Sequence, residues 1–508
     1  MKKSKSISSG MTRRDFGKLV ATLGALGYID GQTVAMALSE DPRRLGYRAH
    51  RNAGAEGAWK LTQVEGEVPK ELHGTLYRTA PGEKERFGVQ FNHLFDGDAF
   101  VSGYSFRDGN VWLRANYIQT PERIEEQKAG KMIYSEFGTH APGPGPYKYK
   151  NQANVNIIPF DGKLLGLSEG GHPTAIDPKT LAYLGDYDFK GGLSETMSFT
   201  AHPKYDPATG EAFGYGVEQG PTMALCVYRM EQDGTVTQLY KLPQPGYFMI
   251  HDMFISKDHI VFAIPPVKYR LGDMLTGKTT IGDALEYFEK EPLRFLILGR
   301  DGKSEPITVN QPASMVFHNG NAFAADGKLV VDSILTPNGS IIDVINRFGK
   351  PDANPYTPTE VTRLVIDLAK GEVLKRGVMG ENQELPRFDI RRSGEEVRYL
   401  YALEGRDSSD FLANSNIVRH DLVRGTTSEY NVSEGRALGE AVYVPRPGND
   451  AEGEGWLLAL GYDGARDETF LEIVDAASLE FAARIWTGNH FPLGFHGNFV
   501  QDWFVQEA

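Results

Sequence analysis

Leu457-Leu458-Ala459-Leu460, then Asp463-Gly464, then Phe470-Leu471-Glu472-Ile473-Val474: two short apolar runs with a turn pair between them. Runs of this length are shorter than globular helices and right for strands. Asp-Gly tolerates the positive φ angles that a tight hairpin turn needs. The same unit recurs along the chain, with further runs at residues 111–117, 163–167, 260–264, 295–298 and 329–331. Asp-Gly pairs also begin at Asp96, Asp108, Asp161, Asp233, Asp301 and Asp326. Helical patterning is scarce, and the two stretches that carry it are residues 121–131 and 281–289. Many short strands over about 450 residues predict a large closed all-β architecture, and a propeller removes the unpaired edges that such a sheet would otherwise expose. No residue-level repeat fixes the number of blades. No composition break divides the chain, so residues 57–508 read as one domain preceded by an extension at 38–56.

Composition bounds the chemistry. The chain has 508 residues, a formal charge of −13, one cysteine and 12 histidines. That charge disfavours a nucleic-acid partner. With Cys226 alone, neither an intramolecular disulfide framework nor a cysteine-based zinc or iron–sulfur site can form. A metal, if held, must be held by His, Asp or Glu.

Residues 1–37 read as an address. Lys2, Lys3, Lys5, Arg13, Arg14 and Lys18 form a basic head, a short apolar stretch follows, and Ala35-Met36-Ala37 has the small-x-small cleavage pattern. Thr12-Arg13-Arg14-Asp15-Phe16-Gly17-Lys18 resembles the bacterial twin-arginine export signal, which implies a periplasmic protein exported after folding. The apolar stretch is too short to span a bilayer.

Four histidines, His202, His251, His318 and His496, stand in short segments flanked by small or apolar residues. His50, His73, His140 and His420 lie among charged or loop residues. The four are too far apart for a local ligand motif, but the inner strands of a propeller point at one axis and can bring distant residues together. Here the sequence resembles the carotenoid cleavage oxygenases. The motifs that carry the resemblance are Phe95-Asp96-Gly97-Asp98, Ala201-His202-Pro203, His251-Asp252, Phe317-His318 with Asn321-Ala322, and Phe495-His496-Gly497. The resemblance implies a seven-bladed propeller with a loop and helix dome over one Fe(II), held by His202, His251, His318 and His496. It further implies that Glu169, Glu384 and Glu440 hold the ligand imidazoles, and that O2 is co-substrate in cleaving a carbon–carbon double bond. Neutral imidazoles suit such an ion, and carboxylates behind them fix ring orientation.

Within the resemblance two branches compete. Stilbene and isoeugenol cleavers resemble one another in a Lys before the first of these glutamates and a tyrosine that contacts the phenol. This chain keeps a candidate, Tyr117, but has Ser168 where the Lys would stand. A carotenoid or apocarotenoid is therefore the expected substrate, with Phe95 and Tyr117 as candidate contacts. Val155, in Ala153-Asn154-Val155-Asn156, occupies a position near the open metal site where cleaving members often carry Thr. Its lack of a hydroxyl leaves isomerisation open beside cleavage. Polyenes reside in membranes, and Leu271, Met274 and Leu275 fall where the family carries part of an apolar patch for a membrane surface. The alternatives of another class are a non-catalytic propeller binding protein and a calcium-dependent propeller hydrolase, which would need clustered Asp and Asn rather than histidines.

Overall fold

The computed structural model describes residues 44–220, 222–244, 246–349, 356–406 and 410–507. The export signal expected at residues 1–37 lies outside these. Three Asp-Gly pairs make the two-residue turn with both φ positive: Asp108-Gly109 (50° and 73°), Asp161-Gly162 (48° and 71°) and Asp326-Gly327 (51° and 71°). They join Ala99–Arg107 to Asn110–Tyr117, Asn156–Phe160 to Lys163–Leu167, and Met315–Ala325 to Lys328–Thr336. Asp463-Gly464 behaves differently, because residues 464–467 form a longer loop between Gly455–Asp463 and Glu468–Asp475. The Asp463 carboxylate is drawn back onto Arg436 Nε at 2.7 Å and accepts the amides of Ala465 and Arg466, both at 2.9 Å.

Among the described residues the strands form seven antiparallel sheets of four or five strands, plus two small two-stranded ribbons. Each large sheet is a blade. The inner strands, in chain order, are Asn156–Phe160, Lys204–Asp206, Met253–Ile255, Met315–Ala325, Gln383–Arg387, Arg436–Pro445 and Gly497–Gln501. The ring is closed by both ends of the chain. Gly497–Gln501 supplies the inner strand beside Gly74–Pro81, and Val64–Gly66 adds an outer strand to Phe481–Trp486. Each blade is sandwiched between two others, so its middle strands are covered on both faces. Every residue of Gly455–Asp463 is buried, which is why Leu457 to Leu460 are apolar without alternation. Outer strands such as Thr426–Asn431 face solvent and are polar.

The helix expected at residues 121–131 is present as Pro121–Ala129. Thr120 Oγ1 accepts the Arg123 amide at its start, and Gly130 ends it in the left-handed region at φ 62°. The expectation of a helix at 281–289 is wrong. A single 3-10 turn, Gly282–Ala284, leads into the strand Leu285–Tyr287, which pairs with Val267–Tyr269. Pairing across the dome outweighs the local helical pattern there. Residues 44–56 pack onto the body of the propeller: Gly46 to Ala49 are buried, and the Arg48 guanidinium donates to Gly464 O at 2.6 Å. No helix among the described residues is long and apolar enough to cross a membrane.

Candidate metal centre and substrate tunnel

Four inner strands begin or carry an imidazole at the same end of the axis. His202 stands before Lys204–Asp206, His251 before Met253–Ile255, His496 before Gly497–Gln501, and His318 lies within Met315–Ala325. One ring nitrogen from each converges, all four lying within 4.8 Å of one another. The Nε2 atoms of His202 and His251 are 3.1 Å apart, as are those of His318 and His496. Two nitrogens at right angles on an ion about 2.1 Å away lie about 3 Å apart, so the donor set has the size of a first-row divalent metal site.

Three carboxylates stand behind the rings. Glu169 Oε1 is 2.7 Å from His251 Nδ1, and the Nδ1 groups of His318 and His496 donate to Glu384 Oε2 at 2.6 Å and Glu440 Oε1 at 2.8 Å. With Nδ1 engaged, the Nε2 lone pairs face inward. Burial depresses His202 well below the ordinary imidazole range, reinforced by the neighbouring rings, and brings His496 down to about 3. At His251 burial acts in the same direction, but the Glu169 carboxylate outweighs it and the pKa is raised. Glu440 is fully enclosed, which would push it up. Arg387, His496 and Arg78 overcome this and hold it well below the carboxylate range. Its oxygens also accept Arg78 Nη1 at 2.7 Å, Arg387 Nε at 2.8 Å and the Gly497 amide at 3.0 Å.

Local backbone irregularity places these groups. Strand register shifts occur between Val316 and Asn319, between Glu384 and Arg387, and between Leu438 and Ala441, each around a functional side chain. A bulge turns one side chain out of the regular alternation, here toward the axis. Leu385 has φ 55°, and its amide donates to Glu384 Oε2 at 2.8 Å.

Above the imidazoles lies a small apolar pocket of about 40 Å³ lined by Phe95, Val155, Phe317, Leu385, Phe495 and others. Phe95, Val155, His251 and Ile345 also line a tunnel of about 550 Å³, whose walls include Phe137, Tyr215, Tyr247, Phe248 and Tyr269. Leu271, Met274 and Leu275 line it too, on a short helix with no buried residue, and Leu275 is 73% exposed. The expected contacts Phe95 and Val155 are therefore in the pocket. Tyr117 is not, and that expectation is corrected. Its hydroxyl donates to Gly82 O at 2.6 Å and its ring lies against Phe100 and under the Arg123 guanidinium, 3.9 Å away, because the helix after its strand folds over it. The aspartates of Phe95-Asp96-Gly97-Asp98 anchor the dome. Asp96 accepts the Gly138 amide at 2.8 Å and Thr139 Oγ1 at 2.6 Å, and Asp98 holds Lys150, Arg123 and Arg86.

A family model described as retinal pigment epithelial membrane protein matches residues 51–501. The chain belongs to this family, that of the carotenoid cleavage oxygenases. It is 30% identical to the apocarotenoid-15,15'-oxygenase of Synechocystis sp. over 469 residues, 89% of this chain and 96% of the relative. It is equally 30% identical to resveratrol cleavage oxygenase 1 of Aspergillus fumigatus over 478 residues, 88% and 93% of the two chains. The crystal structure of cobalt-substituted Synechocystis ACO superposes with a TM-score of 0.85 at 30% identity, covering 90% of this chain and 98% of that one. The fold is that family's seven-bladed propeller, and the family is one of iron-dependent oxygenases.

Residues that the sequence reading did not assign complete the site. Arg78 and Arg387 bind Glu440, and the tyrosines at 215, 247 and 269 line the tunnel. No local motif marks them. Their roles arise where separate blades and dome loops meet.

Proposed function

We propose that the protein is an Fe(II)-dependent oxygenase that uses O2 to cleave a carbon–carbon double bond of a carotenoid or apocarotenoid, giving carbonyl products. The observation that carries this reading is the four-imidazole cluster at the foot of a largely apolar tunnel. His202, His251, His318 and His496 would hold the iron, which when bound supplies activation of O2. The chain's own residues do the remainder. Glu169, Glu384 and Glu440 hold the Nδ1 sides of three ligands and offset the charge of the ion. Phe95, Phe317 and Phe495 close the pocket to water, and Val155 limits its volume without offering a hydrogen bond. The tunnel walls orient an extended apolar substrate, so that its seating selects the bond attacked.

Similarity to a resveratrol cleavage oxygenase favours a second reading, a hydroxystilbene substrate. Against it, Ser168 lines the tunnel where a cation would promote phenol ionisation. The one lysine along the described wall, Lys150, is bound to Asp98 at 2.6 Å, Glu126 at 2.8 Å and Glu136 at 3.3 Å. The leader at residues 1–37 supports export to the periplasm in the folded state, and the exposed Leu271, Met274 and Leu275 support uptake of substrate from a membrane surface. The test is metal analysis of the purified protein followed by product analysis with an apocarotenal and a hydroxystilbene side by side. About one iron per chain and cleavage of the apocarotenal are expected. Loss of iron in His318→Ala but not in His420→Ala is the control. Calcium or no metal, or cleavage of the stilbene alone, overturns the assignment.

A further inference from the structure

In the dome, the short strand Val267–Tyr269 is held on both edges. On one side it pairs with Leu285–Tyr287, and on the other it meets residues 247–249, where Met249 donates to Val267 O at 3.0 Å and Tyr269 to Tyr247 O at 3.1 Å. Alternation sends Lys268 to one face, beside Glu291, and Val267 and Tyr269 to the other, where they pack with Met249, Leu285 and Phe317. The Tyr269 ring therefore has a fixed seat in the tunnel wall. The mouth helix begins two residues later at Leu271, and the flanking segment runs on to His251, so Tyr269 stands between the mouth and the metal end.

The other tyrosine hydroxyls of the tunnel are engaged. Tyr215 donates to Ile250 O at 2.9 Å, Tyr247 donates to Gly220 O, and the Tyr149 hydroxyl lies 3.5 Å from His140 Nε2. The Tyr269 hydroxyl has no hydrogen-bond partner among the described residues. It also differs from the nearby Tyr287 hydroxyl, which is unpartnered but sealed off, because Tyr269 is half-buried and the surface it keeps is tunnel wall. Burial and the charge of Glu169 both push its pKa up, so it carries its proton and offers it as a donor. A donor fixed in a largely apolar tunnel calls for an acceptor from whatever fills that tunnel. The wall also says which acceptor fits. Glu136 and Glu169 line it, and the one lysine along the described wall is matched by Asp98, Glu126 and Glu136, so a carboxylate would meet like charge without a free cation. A neutral oxygen meets no such penalty.

We propose that Tyr269 is a specificity-determining residue whose hydroxyl donates to a neutral carbonyl or hydroxyl oxygen of the substrate, so that the tunnel selects oxygenated polyenes over hydrocarbon ones. The inference rests on the reading of the tunnel as a polyene site. A hydrocarbon fills the same space but leaves the donor unpaired, and that difference is what discriminates.

The test uses the purified metal-loaded protein without O2, so that no turnover enters. All-trans-retinal and axerophthene, the hydrocarbon with a methyl group in place of the aldehyde, are titrated in one detergent by quenching of tryptophan fluorescence. Tyr269→Phe should weaken retinal by about tenfold and axerophthene by less than about twofold. Comparing variant with wild type for each compound cancels their unequal partition into detergent, and retained axerophthene binding shows that the variant is folded. Equal losses for the two compounds, or no loss for retinal, overturn the proposal. The same loss for retinoic acid as for retinal overturns the restriction to a neutral oxygen. In the wild type alone, the Raman carbonyl stretch of bound retinal should lie below its value in hexane; an unshifted stretch overturns the hydrogen bond even if the variant folds poorly. If neither retinal nor axerophthene binds the wild type, the polyene reading of the tunnel falls and this inference with it, an outcome distinct from equal binding of both.

Discussion

Glu440→Gln separates two jobs that a single carboxylate performs. In the wild type this group is enclosed, carries its charge, and accepts from Arg78, Arg387, His496 and Gly497 at 2.7 to 3.0 Å. A glutamine offers one acceptor oxygen, and its NH2 must face at least one of those donors. Arg78 and Arg387 then lose their counter-charge, and the Arg78 side chain is 2% exposed. Removing one partner of a buried charged pair costs about 3 to 5 kcal/mol, and loss of a ligand-orienting carboxylate costs about 10- to 100-fold in metal affinity. Glu169 gives the contrast. Its side chain is 32% exposed and its close charged contact is His251 Nδ1 at 2.7 Å. Glu169→Gln should therefore weaken the metal about 10- to 100-fold while changing the stability of metal-free protein by less than about 1 kcal/mol. Metal transfer to a competing chelator measures the first quantity, and urea unfolding of chelator-stripped protein measures the second. If metal-free Glu440→Gln and Glu169→Gln unfold at the same urea midpoint, the claim that Glu440 ties the inner strands together is wrong.

Changing Leu271, Met274 and Leu275 together to Ser should lower association with liposomes, since the helix buries none of its residues and carries an exposed apolar face; unchanged liposome binding refutes the patch. Tyr117→Phe should leave kcat/KM within about twofold and cost about 1 kcal/mol through its lost bond to Gly82; a large loss of turnover would return Tyr117 to the site. Burial lowers His50, His420 and His490 to about 4. The unfolded chain takes up these protons near pH 6.5 and the folded chain does not, so the stabilisation is full above 6.5 and falls as the pH drops toward 4, by up to about 3 kcal/mol per histidine. The urea midpoint should thus decline well before the carboxylates titrate, and a flat midpoint from pH 7 to 5 contradicts it. Val155→Thr restores a hydroxyl beside the imidazoles; it should preserve metal content and raise the cleaved fraction of product, as measured by chromatography of the carbonyls, and an unchanged product ratio shows that this hydroxyl does not matter here.

Strand content was legible because it depends on short-range chemistry. Asp108-Gly109, Asp161-Gly162 and Asp326-Gly327 turn as their residue types dictate. At Asp463-Gly464 the aspartate instead binds Arg436, its register partner on the adjacent strand. The four histidines were legible as a set, by resemblance and by their apolar surroundings, and the structure brings their nitrogens together. What could not be read was orientation across blades. Tyr117 has the composition of a substrate contact, yet it faces Arg123 and Gly82 because of the path of the next helix. The stretch at 281–289 carries a helical pattern overridden by the strand at Val267–Tyr269. Arg387 stands three residues after Glu384, but its role follows from reaching Glu440 on the neighbouring inner strand.

The ring's closure by its last strand also sets an order of events. His496 immediately precedes Gly497–Gln501, the strand that zips onto Gly74–Pro81. A chain still emerging from the ribosome has neither a closed ring nor a fourth imidazole until residues 496–501 are free. Occupancy of the metal site thus reports that residues 496–501 have been made and seated, and a product truncated shortly before residue 496 forfeits ring and site in one step.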